Sequence, residues 1–318
     1  MNPVWIVQKK VMSDDMMRFR KTKLNPYRLQ LTLLALPFFL LVILFAYVPI
    51  AGWALAFFNY RPGIRFHDMD FVGLKYFKLI GFFWADVQNS LINTLVFSGL
   101  HIILLPLPAI FAIQLTELNS LKTKKVIQTT VTLPNFISWI IVYSLCTSIF
   151  AFDGYFNQFL EKLGFEITST TTLLGNKNLS WYFMTALGVW KGLGWSSIIY
   201  LAAIAGIDRE LYEAAAIDGA NRFQCNWHIT IPGLMPTFFV LFLLQIGSFL
   251  SVGFEQYFVF ANSLTRQKLE VIDLFTYRIG IGTQDYSFAT AIGILRSLIS
   301  IAMMFSMNSL SKRIREVS

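Results

Sequence analysis

Residue types able to do chemistry are few and scattered in this 318-residue chain. His67, His101 and His228 stand far apart, none at the spacing of a zinc site. Cys146 lies in an apolar run and Cys225 in a polar one, so both read as packing residues rather than a disulfide pair. No His, Asp or Glu cluster falls at dyad spacing within the apolar stretches, which argues against an intramembrane enzyme. No phosphate loop of the form GxxxxGK followed by Ser or Thr occurs, so a process driven by ATP needs another chain to hydrolyse it. Two features remain. Lys191, Glu255 and Arg296 are ionisable groups inside apolar runs, where charge is expensive and marks either a pathway or internal pairing. A polar island from Glu213 to Pro232 separates two of those runs.

The elements that must position these residues are membrane spans. The chain is 55% hydrophobic and 14% charged, against about 25% charged for a soluble protein. Apolar runs predict six spans at 29–58, 89–116, 126–150, 181–207, 233–260 and 287–310. A basic segment, 1–28, precedes them, and 29–318 reads as a single membrane domain holding a polar loop at 208–232. Prolines within the spans, such as Pro37, Pro49, Pro106 and Pro108, are tolerable where neighbours satisfy the freed carbonyls. The segment 71–77 is amphipathic and aromatic and is expected at the membrane surface, while 151–180 and 261–286 read as polar loops.

Six spans place both termini on one side. Fifteen Lys and Arg fall on the side of the termini and the island, and nine on the other. The positive-inside rule therefore puts the termini and the island in the cytoplasm. The net charge of +8 then serves to anchor that face against anionic membrane lipid, and calls for no nucleic acid.

Within the island, Leu211, Ala214, Ala215 and Asp218 fall at helical spacing, giving a short, thin helix with an acidic edge. Gly219 breaks it, because glycine reaches positive φ without steric cost. The segment 220–228 can restart at an angle, and Pro232 is expected to close the unit. Two short helices with a bend make a knob suited to a cleft on a partner.

The spacing of Glu213-Ala214-Ala215, Gly219, Ile229, Ile231 and Pro232 resembles the EAA loop of ATP-binding-cassette importer permeases. Ile231 stands where that family usually has leucine, a conservative change. The resemblance extends over nearly the whole chain through Tyr47-Val48-Pro49, 71–77, Asn93-Thr94, 133–139, Trp190-Lys191 with Gly194-Trp195, 199–204 and 206–208. On these motifs the chain resembles the type I carbohydrate importer permeases, and among them the LplB-like subunits. The resemblance implies an all-α polytopic membrane protein of six transmembrane helices with a cytoplasmic coupling loop, in a bacterial inner membrane. It implies a second, often non-identical permease subunit, two ATPase subunits that bind the ATP and magnesium, and an extracytoplasmic binding protein that delivers sugar. This chain would hold no cofactor and perform no chemistry. Glu213, Ala214, Ala215, Asp218, Gly219, Ile229 and Pro232 would couple it to the ATPase, with Glu213 meeting a basic residue and Gly219 holding the bend.

Sugar pockets combine apolar and aromatic walls with a few polar anchors. Asn135, Trp139, Trp195, Tyr200, Gln245, Gln256 and Tyr257 are of suitable type, although most aromatics in such a chain face lipid or pack between helices. Lys191 favours structural pairing or snorkelling over ligand contact, and Arg296 stands evenly between the two. If both faced the cavity they would suit an anionic sugar. An importer for an amino acid or phosphate would keep the spans and the island, whereas a secondary transporter or channel would need no docking knob.

Overall fold

The computed structural model describes residues 26–164 and 172–317. The basic residues Lys9, Lys10, Arg18, Arg20, Lys21 and Lys23 of the N-terminal segment lie outside the described residues. The chain divides into two compact units, residues 1–54 and 55–318. Among the described residues, six helical stretches are long and apolar enough to cross a membrane, and the extended structure is a bridge between Phe58 and Phe71.

In the first unit, α1 (Pro26–Val42) runs through a π turn at Ile43–Tyr47 into the 3₁₀ turns of Val48–Phe57. The Val48 N–H donates to the Ile43 carbonyl, five residues back. That widened turn precedes Pro49, whose ring would otherwise press on the carbonyl of the previous turn.

The second unit opens with α2 (Lys75–Phe82), which buries Tyr76 and Ile80 and leaves Phe82 exposed. Two of its crossings are interrupted. The first consists of α3 (Trp84–Ile103) and α4 (Leu107–Thr116), separated at Leu104–Pro106. The next consists of α5 (Leu121–Thr132), a 3₁₀ turn at Leu133–Phe136, an extended link at Ile137–Ser138, and α6 (Trp139–Phe150). Hydropathy alone would extend this crossing to Lys162. The extended backbone at Ala151 ends it at Phe150, whose ring lies 5.6 Å from Phe183 in the first turn of the following span. After the turn comes α7 (Tyr155–Lys162).

The centre of the bundle is α8 (Ser180–Ala205), an unbroken helix of 26 residues, about 39 Å long. It packs against α3, α4, α5 and the 3₁₀ turn. Gly194 permits this: a Cβ there would come within 2.4 Å of the Val131 carbonyl oxygen and 2.5 Å of the Thr132 nitrogen. Small residues let membrane helices approach backbone to backbone.

Four expectations for the C-terminal half are corrected. Pro232 does not close the island. The helix runs from α10 (Arg222–Cys225) through a π turn at Asn226–Thr230 into α11 (Ile231–Gly247). Pro232 sits at the start of α11, and Ile231 N–H reaches back to Asn226 O, the same device that precedes Pro49. The fifth span therefore covers 222–247 and stops there, because the chain turns at Ser248–Gly253. Glu255 accordingly lies outside a span, exposed at the start of the short α12 (Glu255–Phe260).

The segment 261–286 is not a simple polar loop. It contains α13 (Arg266–Leu269) and α14 (Ile272–Tyr277), and it buries Leu269, Val271, Ile272 and Phe275 against the bundle. Its backbone groups are met by residues of α3 and α8. Asn93 donates to the carbonyls of Gln267 and Glu270, Thr94 accepts from Ile272 N–H, and Trp181 donates to the Lys268 carbonyl. Burying polar backbone this way requires that each group be paired. The last helix, α15 (Tyr286–Val317), completes the unit.

Candidate functional site

The island folds as two helices around a fully bonded bend. Asp208 caps α9 (Arg209–Ile217) by accepting from Glu210 N–H. At the far end Ala220 N–H donates to Ala215 O at 2.9 Å, and Gly219 N–H to Ala216 O at 3.2 Å. This double bond pattern closes the helix with Gly219 in the left-handed region, at φ +75°. Asn221 and Gln224 then form a reciprocal capping box that starts α10. The bend is thus specified by glycine conformation and by two sets of caps.

Around the bend the apolar surface is left bare. Ile217 is 87% exposed at the tip and Phe223 74%, with Phe223 stacked on Trp227. Glu213, Ala214 and Asp218 are exposed, Ala215 and Ile229 half-buried, and the ion pairs among the described residues do not include Glu213. The knob is tied to the bundle from behind. Tyr212 Oη lies 2.9 Å from Thr230 Oγ1, Thr230 donates to Asn226 Oδ1, and Asn226 donates to Glu117 Oε1 at the end of α4. Arg222 adds an ion pair to Glu117 at 3.7 Å. Sequence reasoning missed this chain of contacts. Its members are spread from Glu117 to Thr230 and carry no spacing signal.

The candidates for substrate contact are dispersed through the bundle. Asn135, Trp139, Lys191 and Trp195 come together at the interruption between α5 and α6. Lys191 Nζ donates to Asn135 O at 2.8 Å and lies 5.4 Å from the Trp139 ring centre, while Trp195 packs edge-on against Phe136. Tyr200 and Tyr257 are buried in separate hydrophobic clusters. Gln256 is also buried, donating to Met184 O at 2.7 Å.

Beside this region is an open cavity of about 150 Å³ lined by His101, Gly188, Gly192, Ser196 and Gln245. His101 Nε2 faces Gly188, where a Cβ would come within 3.2 Å of it. In the sequence His101 carries no signal beyond its unsuitable spacing for a metal site. Its lining role depends on a glycine one helix away.

Arg296 is fully engaged by protein. It pairs with Asp273 and donates to Ser251 Oγ and the Leu250 carbonyl. Close by, Glu270 is bracketed by Arg278 at 2.7 Å and Arg266 at 3.5 Å. Both carboxylates lie in the segment expected to be a loop, which is why their pairing was not visible as a pattern.

Comparison with known proteins identifies what kind of protein carries this bundle and its exposed two-helix knob. Residues 121–316 match the family model described as "Binding-protein-dependent transport system inner membrane component". The chain belongs to this family. It is similar to Protein LplB of Bacillus subtilis (strain 168), at 37% identity over 89% of this chain and 88% of that protein. The polygalacturonan/rhamnogalacturonan transport system permease protein YteP of the same organism is 35% identical over 90% and 88%. A crystal structure of a bacterial ABC transporter involved in the import of the acidic polysaccharide alginate superposes with a TM-score of 0.79. That match has 31% identity and covers 91% of this chain and 97% of that one. The chain is therefore an inner-membrane permease component with an all-α, six-span fold, and such components work with a binding protein, a partner permease and an ATPase.

Proposed function

We propose that this chain forms half of the translocation pathway of an ATP-driven carbohydrate importer. An extracytoplasmic protein delivers an oligosaccharide, and two ATPase subunits, holding the ATP and magnesium, dock on the island. This chain does no chemistry. The termini and island face the cytoplasm, following the basic residues, and the second permease is a non-identical homologue. The observation that carries the reading is the bare knob of α9 and α10 on a chain whose relatives include permeases named for polygalacturonan and arabinooligosaccharide transport.

Glu213 offers an unneutralised carboxylate to a basic partner, while Ile217, Phe223 and Trp227 supply apolar contact area. Closure of the ATPase pair would move the knob as a rigid body, and the Tyr212–Thr230–Asn226–Glu117 contacts would pass that movement to α4 and α11. In the membrane, Asn135, Trp139 and Trp195 at the interruption and Gln245 in the adjoining cavity are the residues placed to meet sugar. Lys191 and Arg296 are held by protein groups, so neither calls for an anionic sugar. Tyr200, Tyr257 and Gln256 are buried between helices and serve packing rather than sugar contact.

The test is uptake by the reconstituted complex over neutral and acidic oligosaccharides, with Glu213→Lys and Gly219→Val as coupling variants. Both variants should assemble in the membrane and fail to transport. Wild-type uptake in both would sink the coupling reading. Uptake of amino acids or phosphate with no sugar transported would sink the carbohydrate reading.

A further inference from the structure

We propose that α7 is an interfacial helix that lies on the outer surface of the bilayer with its aromatic stripe in lipid. The proposal goes beyond transport to a membrane-contact surface, and it starts from how the helix is held. Asn157 is buried and donates its amide to Phe150 O at 3.3 Å and Ala151 O at 2.6 Å, the last carbonyls of α6. Phe156 packs edge-on against Phe150 on the same side. Gly154 lets the turn close this tightly, since a Cβ there would come within 2.6 Å of the Ile149 carbonyl oxygen. The rotation of α7 about its own axis is therefore fixed.

With Asn157 facing the bundle, the rest of the helix sorts into two flanks. Gln158, Glu161 and Lys162 form one. Phe152, Tyr155, Phe159 and Leu163 recur at helical spacing to form the other, and these four are 55–75% exposed. Water is a poor environment for that stripe, and the pinned rotation prevents it from turning inward.

The neighbouring helices show what covers it. Phe150 packs against Phe183 in the first turn of α8, and α8, about 39 Å long, exceeds the roughly 30 Å of hydrocarbon it crosses, so its first turn reaches the headgroup zone. The start of α7 is therefore at the membrane boundary. α6, whose end α7 pins, carries an exposed apolar row of its own at Ile141, Leu145 and Ile149, of the kind a spanning helix turns to lipid. Aromatic side chains favour this depth, and a helix with apolar and charged flanks lies in the interface plane.

The experiment places the photoreactive residue benzoylphenylalanine at Tyr155, Phe159, Gln158 or Glu161, one at a time. The full transporter is assembled in nanodiscs of phosphatidylethanolamine and phosphatidylglycerol, with Leu145→benzoylphenylalanine as the reference position within the span. After illumination, mass spectrometry should find phospholipid adducts at Tyr155 and Phe159 in yields comparable to Leu145, and several-fold lower yields at Gln158 and Glu161. Adducts to another protein subunit at Phe159, or none where Leu145 gives lipid adducts, would overturn the proposal. Because Leu145 is read in the same assembled complexes, failure of the carbohydrate reading would leave this result unchanged.

Discussion

Lys191, midway along α8, donates to the carbonyl of Asn135 at 2.8 Å, at the point where the preceding crossing loses its helix. The contact places a cation at the C-terminal end of the α5 and 3₁₀ segment, where unpaired carbonyls carry partial negative charge. Non-helical backbone at membrane depth survives only where protein or a water-filled cavity satisfies it. Lys191 is thus a cap supplied by a neighbouring span.

Lys191→Met removes the donor while keeping much of the stem. The variant should lose roughly 1 kcal/mol, the low end of the cost of an unmet acceptor because the contact is only part-buried, read as a lower Tm of the purified complex. Lys191→Arg should recover part of it. Equal Tm for wild type and Lys191→Met would show that the carbonyl finds another partner.

Two glycines in the same helix should respond oppositely to alanine. At Gly194 the new methyl would meet Val131 and Thr132 backbone within 2.5 Å, whereas at Gly192 nothing lies within 4 Å. Gly194→Ala forces α5 and α8 apart and should cost roughly 1–3 kcal/mol or more, the range for overpacking. Gly192→Ala should raise Tm slightly, since alanine is favoured over glycine in a helix interior by about 1 kcal/mol. Thermal melting of the two variants side by side checks this, and similar values would mean the helices are not in backbone contact.

What the sequence made legible follows the physics of each signal. Apolar runs fixed the number of crossings because the bilayer demands length and hydrophobicity. Gly219 announced the bend because few other residues adopt its conformation. The end of the fifth span is not legible because Phe249, Leu250, Val252 and Phe254 prolong the apolar run, and only the turn at Ser248–Gly253 ends the helix. Pro232 was misread because a π turn, invisible in composition, lets the helix continue. The pairing of Arg296 with Asp273 joins residues 23 apart, and only the inward fold of 261–286 brings them together.

Arg296 and Asp273 yield a pH-dependent prediction. Burial raises the Asp273 pKa above the ordinary carboxylate value, and Arg296 works against that rise. In Arg296→Leu the opposing influence is gone, so the buried carboxyl is raised further. A carboxyl raised in the folded state favours folding at low pH and loses that contribution as pH climbs through its folded value. The Tm deficit of Arg296→Leu relative to wild type should therefore be larger at pH 8 than at pH 5. The double variant Asp273→Leu with Arg296→Leu should recover most of it at pH 8, since breaking one side of a pair costs more than removing both. A deficit independent of pH would mean that Arg296 acts through Ser251 and Leu250 alone.

The contacts behind the knob should govern coupling more than folding. Tyr212→Phe removes the hydroxyl 2.9 Å from Thr230, and Asn226→Ala removes the link from Thr230 to Glu117. Each loses one or two hydrogen bonds that are only partly shielded from water, worth about 0.5–1.5 kcal/mol apiece, so the complex should assemble normally. If the knob moves as a rigid body, loosening its rear attachment lets the ATPase close without carrying α4 and α11 along. Sugar uptake should then fall more than ATP hydrolysis, raising the ATP consumed per sugar transported. The readout is that ratio in proteoliposomes. A proportional fall in both would place these residues in ATPase docking, and an unchanged ratio with full activity would remove them from the transmission path.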